Sequence, residues 1–197
     1  RIICKNIRME FNKVENIPDL VVVKFKAFYD DRGYFEETFN AEQFKISNLP
    51  TEWVQSNHSH SEKGVLRGMH WQKEPFAQDK YVRVLRGKVI DVAVDIRVGS
   101  PTYGQFHMVE LTEDNHTGFF IPKGFAHGFM ALTDDVEFEY MVSGQYDKNS
   151  ERSFRWNDPD VNIPWGTETP ILSDKDAQAP LLGELTKDDL FKFTNQQ

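Results

Sequence analysis

The chain has 197 residues, 39% of them hydrophobic and 13% aromatic, and its formal net charge is −8 at pH 7. This length predicts one domain with a sizeable core, and the negative charge disfavours non-specific binding to nucleic acids or to anionic membranes. Cys4 is the only cysteine, which excludes an intrachain disulfide and a cysteine cluster for zinc. No apolar run reaches membrane-spanning length and the start of the chain shows no secretory leader pattern, so we expect a soluble cytoplasmic protein.

Short β-strands dominate the predicted elements. Along residues 88–96, apolar side chains alternate with a second set that includes Asp91 and Asp95, which is the period-two pattern of a strand with two different faces. The stretch 81–85 precedes it across Arg86 and Gly87, and the two strands are predicted to pair as a hairpin. Further strands are predicted at 21–28, 107–112, 118–122, 128–133 and 136–143. Many short strands of this kind are typical of an all-β sandwich or barrel.

Helix is confined to two short predicted segments. Asn40 and Gln43 resemble a capping pair that opens a helix over 41–47. A second helix is predicted over 186–193 near the end of the chain. No repeat or interdomain linker separates these elements, so residues 1–197 are predicted to form one domain with an N-terminal arm and a polar C-terminal tail.

Two glycine- and histidine-containing blocks carry the first resemblance. Residues 64–72 read GVLRGMHWQ, and residues 122–127 read PKGFAH. Together they resemble the two signature blocks of the cupin superfamily, whose members are small jelly-roll barrels. In the metal-binding cupins three histidines and a glutamate ligate the ion. Here His70 and His127 stand at two of the histidine positions, and Gln72 replaces the third.

The metal ligand set is incomplete, because Phe76 and Ala77 stand where the glutamate is expected. Amide and apolar side chains are poor ligands for a transition metal, so the sequence predicts no metal site. His58 and His60 form an HxH pair in a polar stretch, and nothing near them in the sequence completes a tetrahedral site. We therefore predict that these two imidazoles are solvated.

His70 is a candidate general base if it lies in a barrel mouth without a metal, because a neutral imidazole accepts protons readily near physiological pH. Arg67 and Lys80 flank it in the sequence, and neither belongs in a dry core. These polar groups indicate a pocket. A histidine hydrogen-bonded within the core stays an open alternative for His127.

Seven ordered blocks make the resemblance more specific. They are DDRGYFEETF, VQSNHSHSEKGVLRGMHWQ, AQDKYVRVLRGKVIDVAVDIR, GSPTYG, IPKGFAHGF, WNDPDVNI and LSDKD. The chain is similar over about residues 19–182 to the dTDP-4-dehydrorhamnose 3,5-epimerase family. The resemblance implies an all-β cupin-type jelly-roll barrel with a few short helices. It also implies a homodimer that needs no cofactor and acts on a nucleotide-linked 4-keto-6-deoxyhexose of the kind that leads to rhamnose.

The resemblance also implies roles for individual residues. His70 corresponds to the base of the family, Asp176 to its acidic partner, and Tyr140 to the acid. Lys80 falls near the sugar carbonyl. The positions that bind the nucleotide or the sugar are Arg32, Glu37, Gln55, Asn57, Arg67, His127 and Tyr146. From pattern alone, an ordinary packing or solvated position is favoured for Tyr140, Lys80 and Asp176, and the ordered family resemblance reverses that preference.

The chemistry of the expected substrate agrees with this division of roles. The C4 carbonyl acidifies the protons at C3 and C5, because the resulting anion is an enolate. Inversion removes a proton from one face and returns one to the other, which requires two groups on opposite sides of the ring. General acid–base help of this kind contributes about 10²–10⁴-fold. Arg32 and Arg67 offer fork geometry for phosphate oxygens.

Other functions stay open at this level. A 3,4-ketoisomerase of the same sugar-nucleotide class would use the same enolisation with different proton delivery. A noncatalytic sugar-nucleotide-binding cupin and a metal-dependent cupin oxygenase belong to other classes. Gln145 precedes Tyr146 where the family often has a second tyrosine, so the sequence leaves open whether C3, C5 or both are inverted.

Overall fold

The computed structural model describes residues 8–194, so Cys4 lies outside this range. It confirms the predicted all-β class. The strands are β1 Met9–Lys13, β2 Val21–Phe25, β3 Ala27–Asp30, β4 Gly33–Glu36, β5 Gln55–Ser61, β6 Leu66–Gln72, β7 Lys80–Arg86, β8 Lys88–Asp95, β9 Arg97–Val98, β10 Phe106–Thr112, β11 Thr117–Ile121, β12 Phe125–Ala131, β13 Val136–Val142, β14 Glu151–Ser153 and β15 Phe191–Lys192. The helices are α1 Ala41–Ile46, α2 Asp174–Ala177 and a 3₁₀ turn at Leu182–Glu184.

Two antiparallel sheets form the body of the fold. The first has six strands in the order β1-β2-β11-β7-β13-β5, and the second has five in the order β10-β8-β12-β6-β14. Inward-facing side chains of both sheets share one buried cluster, with Val82 and Phe138 from the first sheet and Ala93 and Phe129 from the second. Each strand presents alternate residues to this interior, as the period-two pattern predicts.

The outer faces of both sheets are also covered. The segment 154–185 packs Phe154, Trp156 and Trp165 against the outer face of the five-stranded sheet. Helix α1 buries Phe44 against the outer face of the six-stranded sheet. The predicted cap is present, since the Asn40 side chain accepts hydrogen bonds from the backbone N–H groups of Glu42 and Gln43. Burial on both faces explains why strands such as β8 are apolar almost throughout.

The predicted hairpin of β7 and β8 is wrong. Strand β7 pairs with β11 and β13 in one sheet, whereas β8 pairs with β10 and β12 in the other. The chain crosses between sheets at Gly87, whose φ of 80° lies in the left-handed region that glycine adopts freely. Both strands are apolar enough to be buried centrally, so local pattern did not reveal which partners they take.

The predicted C-terminal helix over 186–193 is also wrong. Asp189 closes a turn there, because its carboxylate accepts hydrogen bonds from the backbone N–H and hydroxyl of Thr186. Strand β15 then pairs in parallel with β9. Side-chain bonds of this type compete with helix formation. Among residues 8–194, no helix is long and apolar enough to cross a membrane.

Strands β6 and β12 approach each other closely where the two cupin-like blocks meet. A Cβ atom on Gly68 would lie 2.6 Å from the Cα of Gly128. Only glycine, which has no Cβ atom, fits there without a clash. The pairing register then shifts between His127 and Phe129, while His127 stays opposite His70. Irregular pairing of this kind changes the direction in which side chains point. It places both histidines on adjacent strands beside the interior of the barrel.

Candidate active site

A cavity of about 450 Å³ opens between the two sheets. Strands of both sheets contribute to its wall, and the segment that leads into α2 forms one side. The lining residues are Ser59, Val65, Leu66, Arg67, His70, Lys80, His127, Phe129, Phe138, Tyr140, Ile171, Leu172, Ser173, Lys175 and Asp176. Apolar walls with a few converging polar groups are typical of small-molecule sites. Six of the residues singled out in the sequence line this one cavity: Arg67, His70, Lys80, His127, Tyr140 and Asp176.

His70 and Asp176 form a direct pair across 106 residues of sequence. Nε2 of His70 lies 2.5 Å from Oδ1 of Asp176. The Ser173 side chain caps α2 and accepts a hydrogen bond from the backbone N–H of Asp176. Burial opposes ionisation of Asp176, but the hydrogen bond and charge of His70 outweigh it and hold the pKa of this carboxyl below its ordinary value. The pair therefore combines a partly exposed imidazole with a buried carboxylate, which orients the ring.

Lys80 begins β7 and points into the same cavity. Its Nζ donates to the backbone carbonyl of His70 at 3.3 Å. Desolvation lowers the pKa of Lys80 from 10.5 to about 8, although the nearby carboxylates of Asp91 and Glu151 act in the opposite direction. The ammonium is therefore present at neutral pH but is poorly solvated, so a negative charge that forms beside it is strongly stabilised.

His127 is paired with Asp91, a residue that the sequence reasoning did not assign to the site. Nε2 of His127 lies 2.8 Å from Oδ2 of Asp91, and Asp91 is fully buried. Burial lowers the pKa of the His127 imidazole and raises the pKa of the Asp91 carboxyl. The charge and hydrogen bond of the partner act in the opposite direction in each case. The available signal was an aspartate in the middle of the apolar strand β8, because a buried carboxylate requires a partner.

Tyr140 lies on β13, opposite Asn57 of β5. Burial raises the pKa of its phenol, and the positive charge of Arg67 opposes this shift. The phenol is therefore protonated at neutral pH and can donate a proton. Arg67 donates to the Ser61 hydroxyl and the His60 carbonyl, so its guanidinium bonds neutral groups at the edge of the cavity.

A smaller cavity of about 130 Å³ adjoins the first and shares His70, Lys80 and Tyr140 with it. Three more of the predicted residues line it, namely Gln55, Asn57 and Tyr146. The amide of Gln55 donates to the side-chain oxygen of Asn57 at 2.7 Å. Side chains on β5 alternate between this interior and the outer surface, which turns the outward-facing residues away from the cavity.

Arg32 and Glu37 lie outside the linings of both cavities within the described chain. Arg32 is at the tip of the β3–β4 hairpin with a side chain that is 88% exposed, and it pairs with Asp30. Glu37 follows β4 and accepts a hydrogen bond from the Gln43 side chain. The structure therefore does not bring these two residues together with the nine others.

Gln72 occupies the position of a metal-ligating histidine in the cupin pattern, but its amide is fully engaged with the backbone. Its Nε2 donates to the carbonyls of Phe76 and Gln145, and its Oε1 accepts from the N–H of Asp147. An amide held by the backbone in this way is a poor replacement for an imidazole ligand, so the residues present do not fit a cupin metal centre.

His58 and His60 are both exposed, as predicted. His58 contacts Glu137, and the ligand atoms of His60, Glu62 and Asp135 lie within 4.8 Å of one another on the surface. These three side chains are all exposed and none of them lines the cavity that holds His70. The sequence reasoning found no companion for His60, because Asp135 is distant in sequence and meets it only through the pairing of β5 with β13.

The arrangement is suited to proton transfer. The imidazole of His70 has an acidic partner, the phenol of Tyr140 carries its proton, and the ammonium of Lys80 lines the same cavity. Two further charged residues, Lys175 and Glu151, border the cavities, and sequence reasoning did not single them out.

Comparisons with known proteins agree with this geometry. The sequence profile of the family described as dTDP-4-dehydrorhamnose 3,5-epimerase matches residues 14–184. The chain is 49% identical over 161 residues to the dTDP-4-dehydrorhamnose 3,5-epimerase of Shigella flexneri, which covers 81% of this chain and 89% of that protein.

Solved structures show the same fold. The dTDP-6-deoxy-D-glucose-3,5-epimerase of Legionella pneumophila, in complex with dTDP-4-keto-L-rhamnose, superimposes with a TM-score of 0.90 at 41% identity, covering 94% of this chain and 99% of that one. A 3′-monoepimerase from Streptomyces bikiniensis, in complex with dTDP-quinovose, gives a TM-score of 0.82 at 34% identity, covering 87% of each chain. The predicted cupin-type jelly roll is thereby confirmed.

Proposed function

Because the chain belongs to the dTDP-4-dehydrorhamnose 3,5-epimerase family, we propose that it epimerises a dTDP-linked 4-keto-6-deoxyhexose at C3, C5 or both. The observation that carries this proposal is the His70–Asp176 pair beside a cavity that Tyr140 and Lys80 also line. A carbonyl-activated proton transfer needs a base, an acid and an oxyanion partner, and these residues supply one of each.

The first step is proton abstraction by His70. The neutral imidazole takes the proton from C3 or C5, and the electron pair of that C–H bond moves toward the C4 carbonyl oxygen to form an enolate. Asp176 holds the ring in one orientation and stabilises the imidazolium that forms. Lys80 faces the enolate oxygen as an ammonium, an interaction typically worth about 10²–10³-fold in rate.

The second step is protonation from the opposite face. Tyr140 donates its phenolic proton to the carbon, the enolate returns to the ketone, and the configuration is inverted. The tyrosinate then regains a proton from solvent, and His70 releases its own. The phenol of Tyr140 is protonated at neutral pH before the step, because burial raises its pKa above an ordinary value that is already high.

The nucleotide is held by groups around the cavity mouth. Arg67 bonds neutral partners in the described chain, so its charge is available to the diphosphate. Gln55 and Asn57 offer amide groups for the base. His127, fixed by Asp91, and Tyr146 contact the sugar.

Proton NMR of dTDP-4-keto-6-deoxyglucose incubated with the protein in D₂O tests the proposal. Deuterium at both C3 and C5, with inversion, is expected of a 3,5-epimerase. Exchange at C3 alone would indicate a monoepimerase, an activity that the similar Streptomyces bikiniensis enzyme carries in its name. A product with the ketone moved to C3 would indicate a ketoisomerase. Binding of dTDP without any exchange would leave a noncatalytic module and contradict the proposal.

We further propose that the protein acts as a homodimer in which the β3–β4 hairpin contacts a second copy. The hairpin pairs only with itself within the described sheets. It exposes Tyr29 by 69%, Phe35 by 62% and Tyr34 by 52%, an apolar patch suited to an interface. Such a contact would also explain why Arg32, at the hairpin tip, lies away from the cavities of its own chain.

A complementation experiment tests the dimer. Arg32→Ala and His70→Ala chains, each weak alone, should regain activity when unfolded and refolded together, because a mixed dimer contains one site with both residues intact. Tyr29→Ser combined with Phe35→Ser should give monomers in sedimentation, whereas the matched change Tyr103→Ser, at an aromatic residue 38% exposed elsewhere, should leave the dimer intact. A monomeric wild-type protein with full activity would contradict the proposal.

A further inference from the structure

The outer face of the strand pair β5–β13 carries a group of metal-ligating side chains. His60 lies on β5, Glu62 directly follows that strand, and Asp135 directly precedes β13. One ligand atom from each of these side chains lies within 4.8 Å of the other two. Among residues 8–194, this is the one group of three histidine, cysteine or acidic side chains with that geometry. The pairing of β5 with β13 therefore assembles a candidate ligand set from residues 75 positions apart.

The distances within this group suit a small tetrahedral cation. Nε2 of His60 lies 3.4 Å from Oδ1 of Asp135 and 4.0 Å from Oε1 of Glu62. Zn²⁺ binds imidazole nitrogen and carboxylate oxygen at about 2.0–2.2 Å, so tetrahedral geometry separates its ligand atoms by about 3.3–3.6 Å. The first distance is already in this range. The Glu62 side chain is 62% exposed, so rotation about its own bonds can shorten the second.

The charges around His60 favour a cation. Oδ2 of Asp135 lies 3.7 Å from the guanidinium of Arg86, whereas Oδ1 faces His60. The pair with Arg86 is exposed and contributes little, so Oδ1 stays available to a metal. The surface depression that adjoins Asp135 is lined by five carboxylates and two basic side chains. A divalent cation therefore approaches a surface of net negative charge.

A second imidazole on the same strand provides an internal comparison. His58 precedes His60 by two residues, and both are exposed on the outer face of β5. His58 contacts Glu137, which lies opposite His60 in the strand register. His58 thus has one carboxylate beside it, whereas His60 belongs to a group with two. Three protein ligands bind Zn²⁺ with an open fourth position for water, so the group around His60 is the better site.

The donor set distinguishes between classes of cation. One imidazole and two carboxylates suit Zn²⁺ and its neighbours among the divalent transition metals. Mg²⁺ and Ca²⁺ take oxygen ligands almost throughout, in larger coordination shells. We therefore expect Zn²⁺ to bind where Mg²⁺ does not.

We propose that His60, Glu62 and Asp135 form a surface Zn²⁺ site that ties the edge strand β5 to β13. Strand β5 is the last strand of the six-stranded sheet and pairs there only with β13. An ion that binds the folded chain and not the unfolded chain stabilises the fold. Neither cavity of the described chain is lined by these three residues. The site goes beyond the proposed epimerase function and is independent of it.

Calorimetric titration of the protein, prepared without an affinity tag, with ZnCl₂ and with MgCl₂ tests the site. Saturable binding of one Zn²⁺ per chain is expected, without saturable binding of Mg²⁺. His60→Ala and Asp135→Asn should each weaken Zn²⁺ binding by at least about 10- to 100-fold, the range that loss of a group supporting a ligand costs. The matched control is His58→Ala, which removes an exposed imidazole from the same strand face and should keep the wild-type affinity.

Two further measurements locate the ion and its effect. In NMR spectra of the imidazole rings, recorded with saturating dTDP, Zn²⁺ should shift the His60 signals before those of His70 and His127. Zn²⁺ should also raise the Tm of the wild-type protein and leave that of His60→Ala unchanged.

Three results would overturn the proposed Zn²⁺ site. They are equal affinity of His60→Ala and wild-type protein, an equal loss of affinity in His58→Ala, and ring signals of His70 that move first. The outcome for the epimerase proposal is separate. An active protein that does not bind Zn²⁺ overturns the metal site alone, and a protein that binds Zn²⁺ at His60 but exchanges neither C3 nor C5 overturns the proposed function alone.

Discussion

His70 and His127 lie opposite each other on the paired strands β6 and β12, and each imidazole is bound to a different carboxylate. His70 is bound to Asp176 of the α2 segment, and its side chain remains 29% exposed. His127 is bound to Asp91, which is fully buried. In a metal-binding cupin both rings would direct nitrogen lone pairs to one ion. Here the two carboxylates occupy those nitrogens, and the proposed chemistry is proton transfer.

Activity is expected to survive exhaustive chelation. Gln72 bonds only backbone groups among the described residues, and the two histidines are each committed to a carboxylate, so the cavity lacks a convergent ligand set. The measurement is the rate of deuterium uptake into the sugar nucleotide before and after dialysis against EDTA. Turnover that is lost on chelation and restored by a divalent ion would refute the acid–base proposal.

Replacing Arg67 with alanine is expected to weaken dTDP binding by about 1.5–3 kcal/mol, the range for a charged hydrogen bond to phosphate. The matched control is Arg86→Ala, because Arg86 ends strand β7 about 20 Å from Lys80 at its start. Calorimetric titration with dTDP gives both affinities. Equal affinity of Arg67→Ala and wild-type protein would remove Arg67 from the nucleotide site.

Much of the fold class follows from local sequence, because the nearly continuous apolar run of β8 and the partial alternation of β13 both indicate buried strands. Strand β5 was not recognised, since its inward side chains, such as Gln55 and Asn57, face a polar cavity and give no apolar alternation. The local sequence pattern also does not show which strands pair with each other. Gly87 looks the same whether it turns a hairpin or carries the chain between two sheets.

The site could be anticipated only through resemblance. Asp176 follows His70 by 106 residues, and spacing gives no hint that the two meet. Asp91 and Glu151 were missed for different reasons. Asp91 had a usable signal as a charge in an apolar strand, whereas the contacts of Glu151 with Tyr146 and Lys175 exist only after folding.

The pH profile of turnover is expected to fall on the alkaline side as Lys80 loses its proton near its pKa of about 8. The ammonium that stabilises the enolate is present below this pH and lost above it. Stability should change in the opposite sense. The unfolded chain, with an ordinary lysine pKa of 10.5, binds more protons between about pH 8 and 10.5, so the Lys80 contribution to stability rises with pH there.

Measuring kcat and Tm together from pH 7 to 10 separates the two effects. Lys80→Met is expected to lower turnover by about 10²–10³-fold and to remove the alkaline fall from its residual activity. An unchanged alkaline fall in Lys80→Met, or a Tm that collapses in step with kcat, would show that another group controls the profile.

The roles of His70 and Tyr140 are separable because only one of them is needed to form the enolate. His70→Ala should suppress both inversion and deuterium uptake from D₂O, by about 10²–10⁴-fold for a general base. Tyr140→Phe keeps the ring on β13 and removes the proton donor. The enolate still forms, and His70 returns a solvent-derived deuteron to the original face, so deuterium enters with retention while inversion falls sharply. Proton NMR must follow C3 and C5 separately, since the two carbons need not respond alike. If Tyr140→Phe inverts at the wild-type rate, Tyr140 is a packing residue beside Phe138; if His70→Ala exchanges normally, the proposed base is wrong.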